Sequence, residues 1–310
     1  MSVFVQQQHS ICDFAGSDSW VILSEIEQSI KRKIEAVGTP LKDWDIQINY
    51  GIKTGYNDAF IISTKKRDEI LANCATDEER HRTAELIRPI LRGRDIKRYG
   101  YEWANLWLIA TFPSRNHAID EYPSVRDYLL TFGIEKLEQT GRTHIVNGET
   151  IKARKKTNNK WFETQDSISY WDEFLHPKIV WAELARTGNA FTTDFDCKTV
   201  GNTGYILTVK NDSKDDLYYL LGFLNSRILL YCLNQITSRF DENGWRWLRQ
   251  FVEQLRIPKF IDKDAIVSIV KETNRYNQPE MSEIINAYVA KSFGLSEEEL
   301  SYINRTLDGY

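Results

Sequence analysis

Residues 178–237 constrain the fold more than any other stretch of this 310-residue chain. Three short β-favouring runs, "KIVWAEL", "NAFTTD" and "GYILTV", follow one another and lead into "DDLYYLLGFLNSRILLYCLNQI". The runs read as successive strands, and the last stretch as one largely apolar helix of about six turns. Strands followed by a helix of that length fit an α+β body.

The rest of the chain extends this pattern. In "SWVILSEIEQSIKRKIEAV", residues 19–37, Ile22, Ile26, Ile30 and Ile34 recur at spacing four, so a helix with one apolar stripe is expected, closed by Gly38 and Pro40. "WDIQINY" and "AFIIST" read as strands joined by the loop "GIKTGYN". Thr76 and Glu79 form a capping-box pattern ahead of a helix that is expected to end near Arg92-Gly93. "NLWLIATF" reads as a buried strand stopped by Pro113, and a helical stretch is expected from about Asp120 to Gln139, with Pro123 in its first turn. From Thr140 to Lys160 periodicity disappears, and the segment reads as an exposed basic loop. After "PKF" at 258–260, three acidic amphipathic helices are expected to begin near Asp262, Pro279 and Ser296, the last with a second capping box, Ser296 and Glu299. The Glu297–Glu299 triplet reads as a solvated first turn. The expected division is therefore a connector helix over 1–44, a body over 45–261 and a helical extension over 262–310.

Composition narrows the function classes. No apolar run reaches the roughly 18 to 20 residues of a membrane span, and "MSVFVQQQHS" lacks signal-peptide order, so a cytoplasmic location is expected. Cys12, Cys74, Cys197 and Cys232 lie far apart and read as reduced, buried or half-buried thiols. The net charge of -4 speaks against nucleic acid until its distribution is considered. From Asp262 onward five Lys/Arg face nine Asp/Glu, which accounts for all of it. Arg82–Arg98 carries six basic and two acidic residues and Arg142–Lys160 six and one, so two segments of net +4 and +5 offer a positive surface.

Enzyme signatures are missing. Lys53 and Thr54 precede Gly55, whereas a nucleotide-hydrolysing loop needs them after its second glycine. G-x-G-x-x-G, H-E-x-x-H and G-x-S-x-G are absent, as is the Pro-Asp pair that opens a common nuclease core, and the five histidines are scattered.

Seven ordered blocks carry a family resemblance: "PLKDWDIQINYGIKTGYNDAFII", "IRPILRGRDIKRYGYEWANLWLI", "YPSVRDYLLTF…KLEQTG", "KWFETQ", "HPKIVWAEL", "YYLLGFLNSRILLYCL" and "FGLSEEELSYI". Together, from Trp20 to Tyr302, they resemble the TaqI-type C-terminal specificity region of type IIG restriction-modification enzymes, which join nuclease, adenine methyltransferase and target-recognition parts in one polypeptide. The resemblance implies a mixed-sheet α+β target recognition domain that reads double-stranded DNA and presents the site to methyltransferase and nuclease domains elsewhere in a parent polypeptide. The family's S-adenosylmethionine loop and Asn-Pro-Pro-Tyr motif have no counterpart here, so S-adenosylmethionine and magnesium belong to the parent enzyme and no cofactor is expected in this chain. A fragment of a longer protein is favoured over a separate subunit. The competing expectation is a docking module of a larger restriction-modification or phage-defence complex, using the acidic C-terminal helices and having little DNA affinity of its own.

DNA binding needs cations for phosphates and forked or planar side chains for base edges. In "LRGRDIKRYGYEW", Arg92, Arg94, Lys97 and Arg98 surround one glycine, with Arg92 and Arg94 placed for guanine or phosphate; alternatively Asp95 pairs with one of the arginines. In the family, this block is shared among members with different targets, which directs the reading role to the loop Arg142–Lys160. There Asn158 and Asn159 are expected to present amides to adenine, and Arg142, Arg154, Lys155, Lys156 and Lys160 to meet phosphates. Trp161 and Phe162 are expected to pack beneath that loop. Arg246, in "GWRWLRQ", marks a further possible edge. Lys53, Thr54, Tyr56 and Asn57 project from the glycine loop, either near DNA or as parts of a structural turn.

Overall fold

A computed structural model describes residues 23–186, 188–237, 244–276 and 280–308. The expected helix positions Ser19–Ile22, as well as Cys12 and Pro279, lie outside the described residues. The chain is α+β, with two four-stranded sheets and several two-stranded ones among the described residues, and it divides into two compact units. One unit comprises Asp45–Ala185 and Ala190–Leu217; the other takes the described residues of Met1–Trp44, Arg186–Asn189 and Tyr218–Tyr310. The division differs from the three consecutive segments expected from composition.

In chain order the principal helices are α1 (Glu25–Val37), α2 (Thr64–Ala72), α3 (Asp77–Leu86), α4 (Pro123–Leu130), α5 (Lys214–Leu224), α6 (Arg227–Ile236), α7 (Lys263–Tyr276), α8 (Glu280–Ser292) and α9 (Glu297–Asp308). The principal strands are β1 (Ile46–Tyr50), β2 (Ile61–Ser63), β3 (Ile87–Leu91), β4 (Leu106–Ile109), β5 (Thr143–Val146), β6 (Glu149–Lys152), β7 (Lys178–Ala182), β8 (Phe191–Asp194), β9 (Thr199–Val200) and β10 (Gly204–Val209).

In the first unit, the order β8-β7-β10-β1 makes an antiparallel sheet. Its central pair sets Ile179 against Leu207 and Trp181 against Tyr205, and every residue of β7 and β10 is buried, which is why both read as nearly continuous apolar runs. The second sheet, β9-β3-β4-β2, is mixed: β9 runs parallel to β3, and the other pairs are antiparallel. Phe60, Ile90, Leu108, Val125, Leu129 and Phe174, all buried, belong to the core shared by these elements.

Several boundaries depart from expectation, each for a local reason. The helix opened by Thr76 ends at Leu86 rather than near Arg92, because Pro89 disfavours helical backbone at Arg88 and Ile87–Leu91 passes into β3. The stretch 120–139 breaks after α4, where Gly133 takes φ +82. Residues 140–160 are not a plain loop: Asn147 and Gly148, both at positive φ (51° and 84°), turn β5 into β6 as a two-stranded hairpin. The six-turn helix is two helices. Ser226 caps α6 by accepting from the Leu229 N–H at 3.2 Å, and the Asn189 amide donates to the Leu224 and Ser226 carbonyls at 2.8 and 2.9 Å, filling groups that the break exposes. Arg227 then bridges to Asn304 and Asp308 of α9.

In the second unit, α1 begins with a capping box at Ser24 and Glu27, and Ile30 and Ile34 are buried as the stripe requires. Glu299 corrects one expectation. It forms the capping box with Ser296, yet it is only 4% exposed, with Lys33 Nζ 2.7 Å from Oε2 and Ser29 Oγ donating to Oε1 at 2.7 Å. Burial alone would raise its pKa, but Lys33, the Ser296 N–H and Ser29 together outweigh it and hold the carboxyl down to about 2. A carboxyl lowered on folding stabilises above its unfolded value and loses that contribution as pH falls towards the folded one. After discounting for the partly exposed Lys33, wild type should lose about 2 kcal/mol more unfolding free energy than Glu299→Gln between about pH 5 and pH 2, read from urea titrations. Equal losses in the two proteins would refute the assignment.

Candidate nucleic-acid interface

The glycine loop after β1 is fixed by backbone on both sides. Gly51 N donates to Gly204 O at 2.8 Å and Ile52 N to Val200 O at 2.7 Å. A Cβ at position 51 would lie 2.0 Å from Gly201 O, so only glycine fits, and Gly55 takes φ +80. The loop joins β1 of one sheet to β2 of the other through a short turn of helix at Asn57–Phe60, so it is not a hairpin turn. Thr54 does not project outward. It is 1% exposed, its hydroxyl donates to Asn57 Oδ1 at 2.7 Å and accepts from the Tyr56 N–H, and a contact with DNA is closed to it. Lys53 and Asn57 are exposed. Tyr56 is half-buried, with Phe132 edge-on at 5.7 Å and the Lys136 ammonium 5.3 Å from its ring.

Arg154 is the largest correction. Expected on phosphate, it is 4% exposed and its guanidinium is spent on four backbone carbonyls. Nε donates to Leu137 O at 2.7 Å, Nη1 to Thr54 O at 3.0 Å and Glu163 O at 2.8 Å, and Nη2 to Trp161 O at 2.6 Å. Burial draws its pKa down to about 10, opposed by the nearby Glu163 carboxylate, so it remains charged at neutral pH. Through Arg154, the loop 51–57 and the segment 137–163 share one anchor, and Gln165 N adds bonds to Lys53 O and Thr54 O at 3.2 and 3.1 Å. Phe162 is buried and Trp161 packs against the core, as expected of them.

Asn159 is also committed inward: its amide donates to Thr164 O and Gln165 O at 3.1 and 2.9 Å, leaving no N–H to donate to adenine N7. Around this anchored root, Arg142, Lys155, Lys156, Asn158 and Lys160 are exposed. Lys152 at the end of β6 is exposed as well; sequence reasoning passed over it together with the hairpin, although the Asn-Gly pair in "IVNGET" marks that turn.

In the 91–103 block, Arg92 pairs with Asp95, its Nη2 2.7 Å from Oδ1 and its Nε 3.0 Å from Oδ2, and side-chain bonding to Asp95 raises its pKa. That fork is therefore occupied, which realises the alternative weighed for it and removes Arg92 as a free reader. Gly93 N donates to Thr203 Oγ1 at 3.0 Å, and Gly201 N to Leu91 O at 2.9 Å, so this block and the glycine loop both rest on the 200–204 turn. Arg94 and Lys97 are exposed, with the Lys97 ammonium donating to Arg94 O. Arg98 is half-buried, its guanidinium 5.5 Å from the Tyr99 ring. Arg246, half-buried, belongs to the other unit. Among the described residues no three His, Cys, Asp or Glu are grouped to hold a metal ion, and no helix is long and apolar enough to cross a membrane.

Residues 88–258 match the family described as the TaqI-like C-terminal specificity domain. The chain is similar to the type II methyltransferase M.BstVI of Geobacillus stearothermophilus, at 23% identity over 95% of this chain and 48% of that protein. M.PaeR7I of Pseudomonas aeruginosa is 22% identical, covering 92% of this chain and 45% of its own length, so the chain spans about half the length of these relatives. Among solved structures it resembles the type IIG restriction endonuclease BpuSI, with a TM-score of 0.46 at 12% identity over 87% of this chain and 33% of that one. It also resembles the type IIL restriction-modification enzyme MmeI, solved in complex with DNA, with a TM-score of 0.49 at 12% identity and the same coverage.

Proposed function

The chain belongs to the family of TaqI-like C-terminal specificity domains, and from that premise we propose that it recognises a particular sequence of double-stranded DNA and presents the site to catalytic domains outside this chain. Those domains would be the methyltransferase and nuclease parts of a type IIG restriction-modification protein, acting in the cytoplasm on adenine N6 and on the phosphodiester backbone. S-adenosylmethionine and magnesium would serve them; the relatives' description as type II methyltransferases supports the first.

The observation that carries this reading is the exposed cationic set Arg142, Lys152, Lys155, Lys156 and Lys160, mounted on a root that Arg154 fixes. Cations held on a rigid base can displace counterions from phosphates without first having to be ordered. Lys53, Asn57, Arg94, Lys97 and Asn158 are assigned to the same task at its margin, with Arg98 as a further contributor.

Titration of a fluorescent duplex at several salt concentrations tests the proposal. Four phosphate contacts predict a log-log slope of about -3.6 and a roughly 100-fold loss of affinity between about 50 and 200 mM salt. Binding that is indifferent to salt, or no binding at the lowest salt, would overturn it.

A further inference from the structure

The β5–β6 hairpin presents two unlike faces. Cross-strand neighbours share a face, and the pairs Thr143↔Lys152 and Ile145↔Thr150 put those four side chains together. All four are exposed, Ile145 at 80%. The alternate positions His144, Val146 and Ile151 are half-buried. The hairpin joins neither larger sheet, and its ladder continues through Ala153 N to Arg142 O at 2.9 Å, Gly141 N to Arg154 O at 2.8 Å and Arg154 N to Glu138 O at 3.0 Å. It is thus a two-stranded ribbon standing on the buried Arg154.

We propose that the face formed by Thr143, Ile145, Thr150 and Lys152 is the base-reading surface, entering the major groove with Ile145 against a thymine C5-methyl group. The inference rests on the DNA-binding reading above and assigns the sequence discrimination to these residues. A two-stranded ribbon fits the major groove, about 12 Å wide and 8.5 Å deep, and four residues per strand extend about 13 Å. The occupant is selected by charge: the exposed residues of the 142–160 segment include five cations, Arg142, Lys152, Lys155, Lys156 and Lys160, against one acid, Glu149, so an aliphatic side chain with this surround is matched to a polyanion. Threonine hydroxyls and a lysine beside an aliphatic side chain supply the donors, acceptors and methyl contact that major-groove edges call for.

The test begins with a duplex selected from a randomised pool by the full chain, and compares it with a shuffled duplex. Wild type should lose about fourfold in affinity when the thymine at one position is replaced by uracil, the contribution of one buried methyl group. Ile145→Ala should bind the selected duplex roughly 10-fold more weakly, lose the thymine preference, and bind the shuffled duplex within twofold of wild type; at 80% exposure the change leaves folding intact, to be checked by thermal melting. Lys155→Ala/Lys156→Ala should weaken both duplexes alike. If the lysine variant behaves so while Ile145→Ala keeps full discrimination, the ribbon is not the reader and the DNA-binding proposal stands. If the lysine variant weakens neither duplex, the phosphate contacts lie elsewhere and the ribbon assignment falls with them; if the chain binds neither duplex, both proposals fall.

Discussion

Arg154→Ala is expected to cost about 3 to 5 kcal/mol of unfolding free energy. The guanidinium satisfies the carbonyls of Leu137, Thr54, Glu163 and Trp161. An unsatisfied buried acceptor costs on the order of 1 to 3 kcal/mol, and water entering the vacated space recovers part of that. Removing a charged group whose bonds are all internal falls in the same range as breaking a buried ion pair. Arg154→Lys keeps the charge but replaces a planar fork with one ammonium, which cannot reach four carbonyls in a fixed geometry, so about 2 kcal/mol should still be lost. Because domain stabilities are themselves about 5 to 15 kcal/mol, the alanine variant should show a much lower urea midpoint. A change below about 1 kcal/mol would mean that these bonds do not hold the two segments together.

The second large effect is on binding. Lys155→Glu/Lys156→Glu should weaken DNA affinity about 100-fold at moderate salt and flatten the log-log slope by about 1.8, with stability unchanged. Each phosphate contact contributes about 0.9 to the slope, and a reversed charge adds repulsion to the lost attraction. Both lysines are exposed, and neither holds the root of the segment in place, so the fold should not respond. Arg94→Glu provides the comparison: it lies in the block that the resemblance marks as shared among members with different targets, and a smaller loss is expected there. Affinity within threefold of wild type for the lysine variant, read by anisotropy, would move the interface elsewhere.

Much of the scaffold was legible because its signals are local. Thr76 with Glu79 and Ser296 with Glu299 cap the helices that they announce, and "KIVWA" and "GYILTV" are buried strands. The family resemblance was legible for another reason: its blocks are ordered along nearly the whole chain. What stayed hidden depends on partners remote in sequence. Arg154 looked like one cation among five, since nothing adjacent reveals that its acceptors lie up to 100 residues away. Glu299 looked solvated because Lys33 is 266 residues distant. Other misses were local signals outweighed by stronger ones: charge in 140–160 masked the Asn147-Gly148 turn, and the apolar run across 215–236 masked Asn225-Ser226 as a helix break. The site was therefore legible as a segment and illegible as individual roles, since a guanidinium that meets solvent and one that meets carbonyls look the same in sequence.

Selection from a randomised duplex pool tests the central claim most directly. Over successive rounds at low salt, the retained DNA should converge on one short sequence, and that sequence should compete better than its shuffled counterpart. A pool that binds with steep salt dependence yet stays random would leave a DNA-binding surface without specificity and contradict the account.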